Sequence, residues 1–89
     1  MSRILLKGAE AAMGTSSANG SNFSSARLVR VVNTDSSAHL VTLTETVNGS
    51  TIGSFTLPAG EAVELEKEPL NGIFAANAAV KGAAIGYTN

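Results

Sequence analysis

The chain has 89 residues, six of them lysine or arginine and seven aspartate or glutamate, for a net charge of −1. That balance gives no electrostatic case for nucleic acid or acidic lipid as a partner, and no apolar run approaches a membrane span. Cysteine is absent, which removes disulfides and thiolate metal sites.

A chain of this length is expected to form one domain over residues 1–89. It buries somewhat over ~60% of its unfolded surface, so its stability margin is thin. With three phenylalanines and one tyrosine, the core must come from valine, isoleucine, leucine and alanine. Association with a partner, or with copies of itself, is expected to help hold such a fold.

Arg3 to Lys7 (RILLK) reads as a first strand, with Ile4 and Leu6 on one side. Its apolar stretch is too short for a signal-peptide core, so the chain is expected to be made and used without a secretion step. Gly8 to Ser25 has no periodicity and is rich in Gly, Ala, Ser and Asn. A loop of that length is expected to be functional or mobile. A short helical turn fits Ala9 to Met13. Met13 and Phe23 are the large apolar residues of the segment. Either they tuck back onto the core, or the segment is a flexible arm that buries them on a neighbour.

Ala26 to Thr34 (ARLVRVVNT) reads as a central strand, with Val29 and Val31 on one side and Leu28, Arg30 and Val32 on the other. Asp35-Ser36-Ser37 is a polar turn. His39 to Glu66 then reads as a three-stranded meander. In its first strand Val41, Leu43 and Val47 are expected inward and the threonines outward. Asn48-Gly49 is expected to make a two-residue hairpin turn with positive φ at both positions. Between Ser50 and Leu57 the apolar residues change sides around Gly53, where a bulge would re-phase the strand. Pro58-Ala59-Gly60 ends the pairing. Ala62 to Glu66 places Val63 and Leu65 inward, Glu64 and Glu66 outward. After a loop at Pro69 and Asn71-Gly72, Ile73 to Ala76 fits a short strand or a helical turn, with Phe74 as a core anchor. Ala79 to Thr88 alternates between a large side, ending at Ile85 and Tyr87, and a small side of Val80, Gly82, Ala84 and Gly86. The small side would let another backbone approach closely. Six or seven short strands at this spacing predict an all-β fold, a small antiparallel β-sandwich or barrel with a long N-terminal loop.

Chemistry is sparse. His39 is the single histidine and has no evident second ligand or nucleophile partner, so a strand-start or surface role is expected. Glu61, Glu64, Glu66 and Glu68 are dense enough to raise cation binding, but the EF-hand spacing is missing. They read better as a solvated face countered by Lys67, one that also discourages edge pairing. Gly82 to Gly86 lacks the Lys-Ser/Thr of a phosphate loop. The serines have no base beside them and no Gly-x-Ser-x-Gly elbow. No catalytic, cofactor or metal residue is assigned.

Three stretches carry a resemblance: His39-Leu40-Val41-Thr42-Leu43; Phe55 to Val63 (FTLPAGEAV); and Glu66-Lys67-Glu68-Pro69 leading through Ile73-Phe74-Ala75-Ala76 to the strand ending at Tyr87. In this order they resemble small structural proteins of tailed bacteriophages, especially of T4-like marine cyanophages. The likeness covers roughly Ala26 to the C-terminus and leaves Gly8 to Ser25 without a counterpart. It implies a β-sandwich located in the virion, assembled in the host cytoplasm, with other virion proteins as partners. The expected function is a non-enzymatic decoration, cement or connector-type module acting through protein contacts, with a homo-oligomer expected. Its expected contact residues are Met13 and Phe23 on the arm and Arg27 and Arg30 on the neighbouring strand, where the two arginines read equally well as a solvated strand face. The alternative is a module binding carbohydrate or another host-surface ligand, for which the chain has few aromatics to spare.

Overall fold

Alternation of apolar and polar residues resolves into eight strands in the computed structural model, which describes residues 3–88. They are β1 (Arg3–Leu6), β2 (Ala11–Ala12), β3 (Leu28–Asn33), β4 (His39–Thr44), β5 (Thr51–Leu57), β6 (Ala62–Glu66), β7 (Gly72–Ala75) and β8 (Val80–Thr88). One sheet has the order β1-β8-β3-β6, with β2 also on β8; the other has the order β5-β4-β7. Every pairing is antiparallel. The fold is thus the all-β sandwich that the strand spacing predicts.

The core forms where the two sheets meet. Val29 and Val31 of β3 and Val80 of β8 pack with Val41, Leu57, Ile73 and Ala75 of the other sheet. Burying each valine, leucine or isoleucine is worth roughly 1.5–3 kcal/mol. Val63 and Leu65 of β6 pack partly buried against this cluster, while Glu64 and Glu66 are exposed, as alternation requires.

The meander does not survive intact. β4 and β5 form a hairpin, but β6 pairs with β3, so the chain changes sheets between β5 and β6. The corner explains why. Gly60 carries φ +74°, a conformation glycine adopts without a Cβ clash. Its N–H donates to the Asn33 carbonyl (3.0 Å), and the Asn33 N–H donates to the Glu61 carbonyl (3.0 Å). The Asn33 side chain is fully buried. Its amide nitrogen donates to the carbonyls of Leu57 (2.9 Å) and Ser37 (2.8 Å), and its oxygen accepts from the Asp35 N–H (3.0 Å). One asparagine thus ties together both strands that leave the corner and the loop between β3 and β4.

The β4–β5 connection also differs from the two-residue form. Its turn is closed by the Gly49 N–H donating to the Thr46 carbonyl (2.8 Å), and positive φ falls on Asn48 alone (65°). Gly49 serves by lacking a side chain: a Cβ there would lie 2.5 Å from the Thr46 hydroxyl. The bulge expected at Gly53 is present one residue away. The register shifts between Leu43↔Gly53 and Thr44↔Thr51, leaving Ile52 as the extra residue.

Thr42 and Thr44 are buried, against the expectation of a solvent face, and Val47 is exposed beyond the end of β4. β4 is the middle strand of its sheet, and the Thr44 hydroxyl is satisfied by the carbonyls of Thr46 (2.7 Å) and Gly72 (3.2 Å). In β7, Ile73 and Ala75 enter the core while Phe74 points the other way, half-buried. The anchor is therefore Ile73.

The segment from Gly8 to Ser25 is fastened along its length, so it is not a projecting arm. It contains β2 where a helical turn was expected, and a 3-10 turn over Ser17–Asn19. The Ala75 N–H donates to Gly14, Ser21 exchanges hydrogen bonds with Ile73, and the Asn48 N–H donates to Ser17. The segment thereby covers the open edge of β7.

Candidate functional site

Met13 and Phe23 settle onto the chain's own core. Met13 is 1% exposed and belongs to the central cluster, so it has no surface to offer a partner. This corrects its expected contact role. Phe23 is half-buried over Gly82, where a Cβ would come within 2.7 Å of the ring. The small side of β8 therefore receives an aromatic ring and the Lys7 stem, not another backbone. Arg30 is half-buried on the outer face of β3, opposite Ala83 and Glu64. Arg27 is exposed and lies 3.5 Å from Glu68, a solvent-screened pair of little stability value.

Phe23 and Arg27 do share one site. An open cleft of about 510 Å³ is lined by Lys7, Phe23, Ser24, Ser25, Arg27 and the backbone side of β8 near Gly86. Phe23, Ser24 and Ser25 have φ of 52°, 58° and 62°. Three successive non-glycine residues in the left-handed region are strained, by roughly 1–2 kcal/mol each. The turn is held by its own side chains: the Asn22 amide oxygen accepts from Ser25 (3.2 Å) and the Ser21 hydroxyl from the Phe23 N–H (3.0 Å). The lining combines Lys7, Arg27 and two hydroxyls with an apolar floor, and Arg27 is already paired with Glu68. The lining contains no carboxylate and no imidazole to move a proton.

Elsewhere titratable groups are few. His39 does have a partner that sequence reasoning missed: its Nε2 lies 2.6 Å from the Asp35 carboxylate. The hydrogen bond to His39 holds the Asp35 pKa below its ordinary value, helped by the Ser36 N–H. The pair closes the β3–β4 loop. Among the described residues no group of three His, Asp or Glu side chains is placed to hold a metal ion. Lys67 does not counter the glutamates as expected. It is 5% exposed, and its ammonium donates to the carbonyls of Glu68 (3.2 Å) and Pro69 (3.1 Å). Burial lowers its pKa.

A second surface is a two-stranded ribbon. β8 keeps its register with β3 only as far as Ala84. Beyond it, Ile85 to Thr88 pair with β1 alone. Ile4, Leu5 and Leu6 are 42, 47 and 70% exposed, and Tyr87 is 46% exposed. Alternation puts Ile4, Leu6, Ile85 and Tyr87 on one face and Leu5 on the other. The Tyr87 pKa is raised, first by hydrogen bonding with Glu64, then by burial and the carboxylate's charge. The sequence carried a signal for this surface. Three consecutive apolar residues in a strand cannot all face one core.

No protein-family model matches the chain, and neither a curated protein nor a solved structure matches it. Among the described residues no helix is long and apolar enough to cross a membrane.

Proposed function

We propose that the protein is a non-enzymatic structural component of a tailed-bacteriophage particle, a decoration, cement or connector-type module. The observation that carries the contact role is the ribbon of β1 and the end of β8. It presents Ile4, Leu5, Leu6 and Tyr87 to solvent from a small domain that has few large apolar residues to spare. Ile4, Leu6 and Tyr87 share one face of it and Leu5 lies on the other, and exposed apolar surface grouped in this way marks contact sites. The virion setting is supported by the resemblance across Ala26 to Tyr87. On a symmetric particle, many copies of a small contact add up through avidity.

Mass spectrometry of purified phage particles carrying this coding sequence tests the setting. Several copies per particle are expected, and absence from washed particles overturns it. Leu5→Glu and Leu6→Glu together test the contact role. The doubly substituted protein keeps its β-sheet circular dichroism and is lost from particles; retention at wild-type copy number would remove the ribbon from the reading.

A further inference from the structure

The two edges of the larger sheet differ in charge. β1 begins with Arg3 and is followed by Lys7. β6 lies between Glu61 and Glu68 and carries Glu64 and Glu66. Among the described residues each of these strands pairs on one side only, β1 with β8 and β6 with β3. The Lys7 N–H donates to Ala84, so alternation aims the N–H and C=O of Ile4 and Leu6 away from β8. Likewise Asn33 donates to Glu61 and Lys67 to Arg27, which leaves the backbone groups of Ala62, Glu64 and Glu66 aimed away from β3. We infer that β1 of one copy pairs with β6 of a second copy, joining the large sheets head to tail.

Charge selects this pairing over the symmetric ones. Antiparallel pairing of β1 with β1 of a second copy, centred on Leu5, would set Arg3 opposite Lys7. Pairing of β6 with β6, centred on Glu64, would set that carboxylate against itself. Like charges directly opposite are destabilising, so each edge disfavours its own copy. Pairing β1 with β6 in the register that puts Ile4 opposite Glu64 and Leu6 opposite Ala62 sets Lys7 opposite Glu61. It also brings Arg3 to the Glu66–Glu68 end. Direction and face agree as well. Three antiparallel steps separate β1 from β6, so the two edges run opposite ways. A copy added by rotation about an axis along the strands therefore presents β1 antiparallel to β6. Outer-face residues then meet outer-face residues, Ile4 and Leu6 beside Ala62 and Glu64. Such a contact is heterologous: it closes into a ring if the rotation permits and otherwise extends.

This inference rests on the reading that the chain works by protein contact, and names a partner for it. Light scattering on the purified full chain across a concentration series is the test, with three variants. R3E/K7E makes both edges acidic, and E61K/E64K/E66K, which includes the residue opposite Lys7, makes both basic. Leu6→Pro removes one outward-facing N–H at an edge that tolerates proline. Circular dichroism checks that each is folded. Wild type is expected to gain mass with concentration, and each variant alone to stay monomeric. The equimolar mixture of the two charge variants is expected to recover an average mass of about twofold or more, because each then supplies the edge the other lacks. A monomeric wild type overturns the inference, as do charge variants that assemble alone or a mixture that stays monomeric. A chain that is monomeric in solution yet abundant in particles would end this inference and leave the proposed function standing.

Discussion

The two halves of β8 carry the same alternation and live in different surroundings. From Val80 to Ala84 the strand has β3 on one side and, at Lys81 and Gly82, β2 on the other, with its small side against the core. From Ile85 to Thr88 it has β1 alone. In the first half a missing side chain is filled by neighbours: Gly82 lies under the Phe23 ring and against Val29. In the second half the corresponding space at Gly86 holds only the flexible stem of Lys7. Small residues are therefore a packing requirement in one half and a permissive choice in the other. What distinguishes them is the neighbouring chain, not the strand's own sequence.

Substitutions can break or sharpen that contrast. The largest effect is expected from Met13→Ala, just past β2, where the segment covers the first half. A cavity in the central cluster should cost about 2–5 kcal/mol in urea unfolding. Next come paired glycine changes. Gly82→Ala drives a methyl to within 2.7 Å of the Phe23 ring and 3.1 Å of Val29, and should cost about 1–3 kcal/mol. Gly86→Ala meets Lys7 Cε at 2.9 Å, which a flexible side chain can vacate. It should shift stability by no more than ~0.5 kcal/mol. Equal losses at the two positions would dissolve the distinction. The smallest effect is spectroscopic. The chain has one tyrosine, so phenolate absorbance reads Tyr87 alone. It should titrate above its ordinary 10.0 and fall back toward it in Glu64→Gln. Because the folded pKa is raised, stability tied to Tyr87 is complete below pH 10.0 and is lost as pH rises through the folded value. An unchanged titration in Glu64→Gln would mean that the carboxylate does not set it.

Much of this fold is readable in the residues. Strand positions follow from the alternation in LVRVV and AVELE, and the turns from Asn48-Gly49 and Pro58-Ala59-Gly60. Partnership is not readable in the same way. Val63 and Leu65 look alike whether their strand pairs with β5 or with β3, since inward alternation is identical in both cases. The corner is decided by Asn33, whose polar side chain reaches Leu57 at a distance in sequence that no local pattern reports. The left-handed run at Phe23-Ser24-Ser25 has no glycine to announce it. Of the expected contact residues, Phe23 and Arg27 come together at the cleft, while Arg30 lies elsewhere and Met13 is enclosed. Lys7, Ser24 and Ser25 entered the site only through tertiary placement. The apolar triplet Ile4-Leu5-Leu6 was visible, and its excess over what one face can bury is what marks the ribbon.

The position of β8 also has a kinetic consequence. It is the strand farthest along the described chain, yet among the described residues β1 and β2 pair with it alone and β3 takes it as one of two neighbours. Hairpin β4–β5 can close early, from nearby residues. The larger sheet must wait until distant parts of the polypeptide diffuse together, which places such topologies in the ~millisecond-to-second range. Until that encounter β3 has β6 as its sole neighbour, and its Val29–Val32 run stays available to wrong partners. Crowded synthesis or refolding at high concentration should expose that vulnerability before any measurement at equilibrium does.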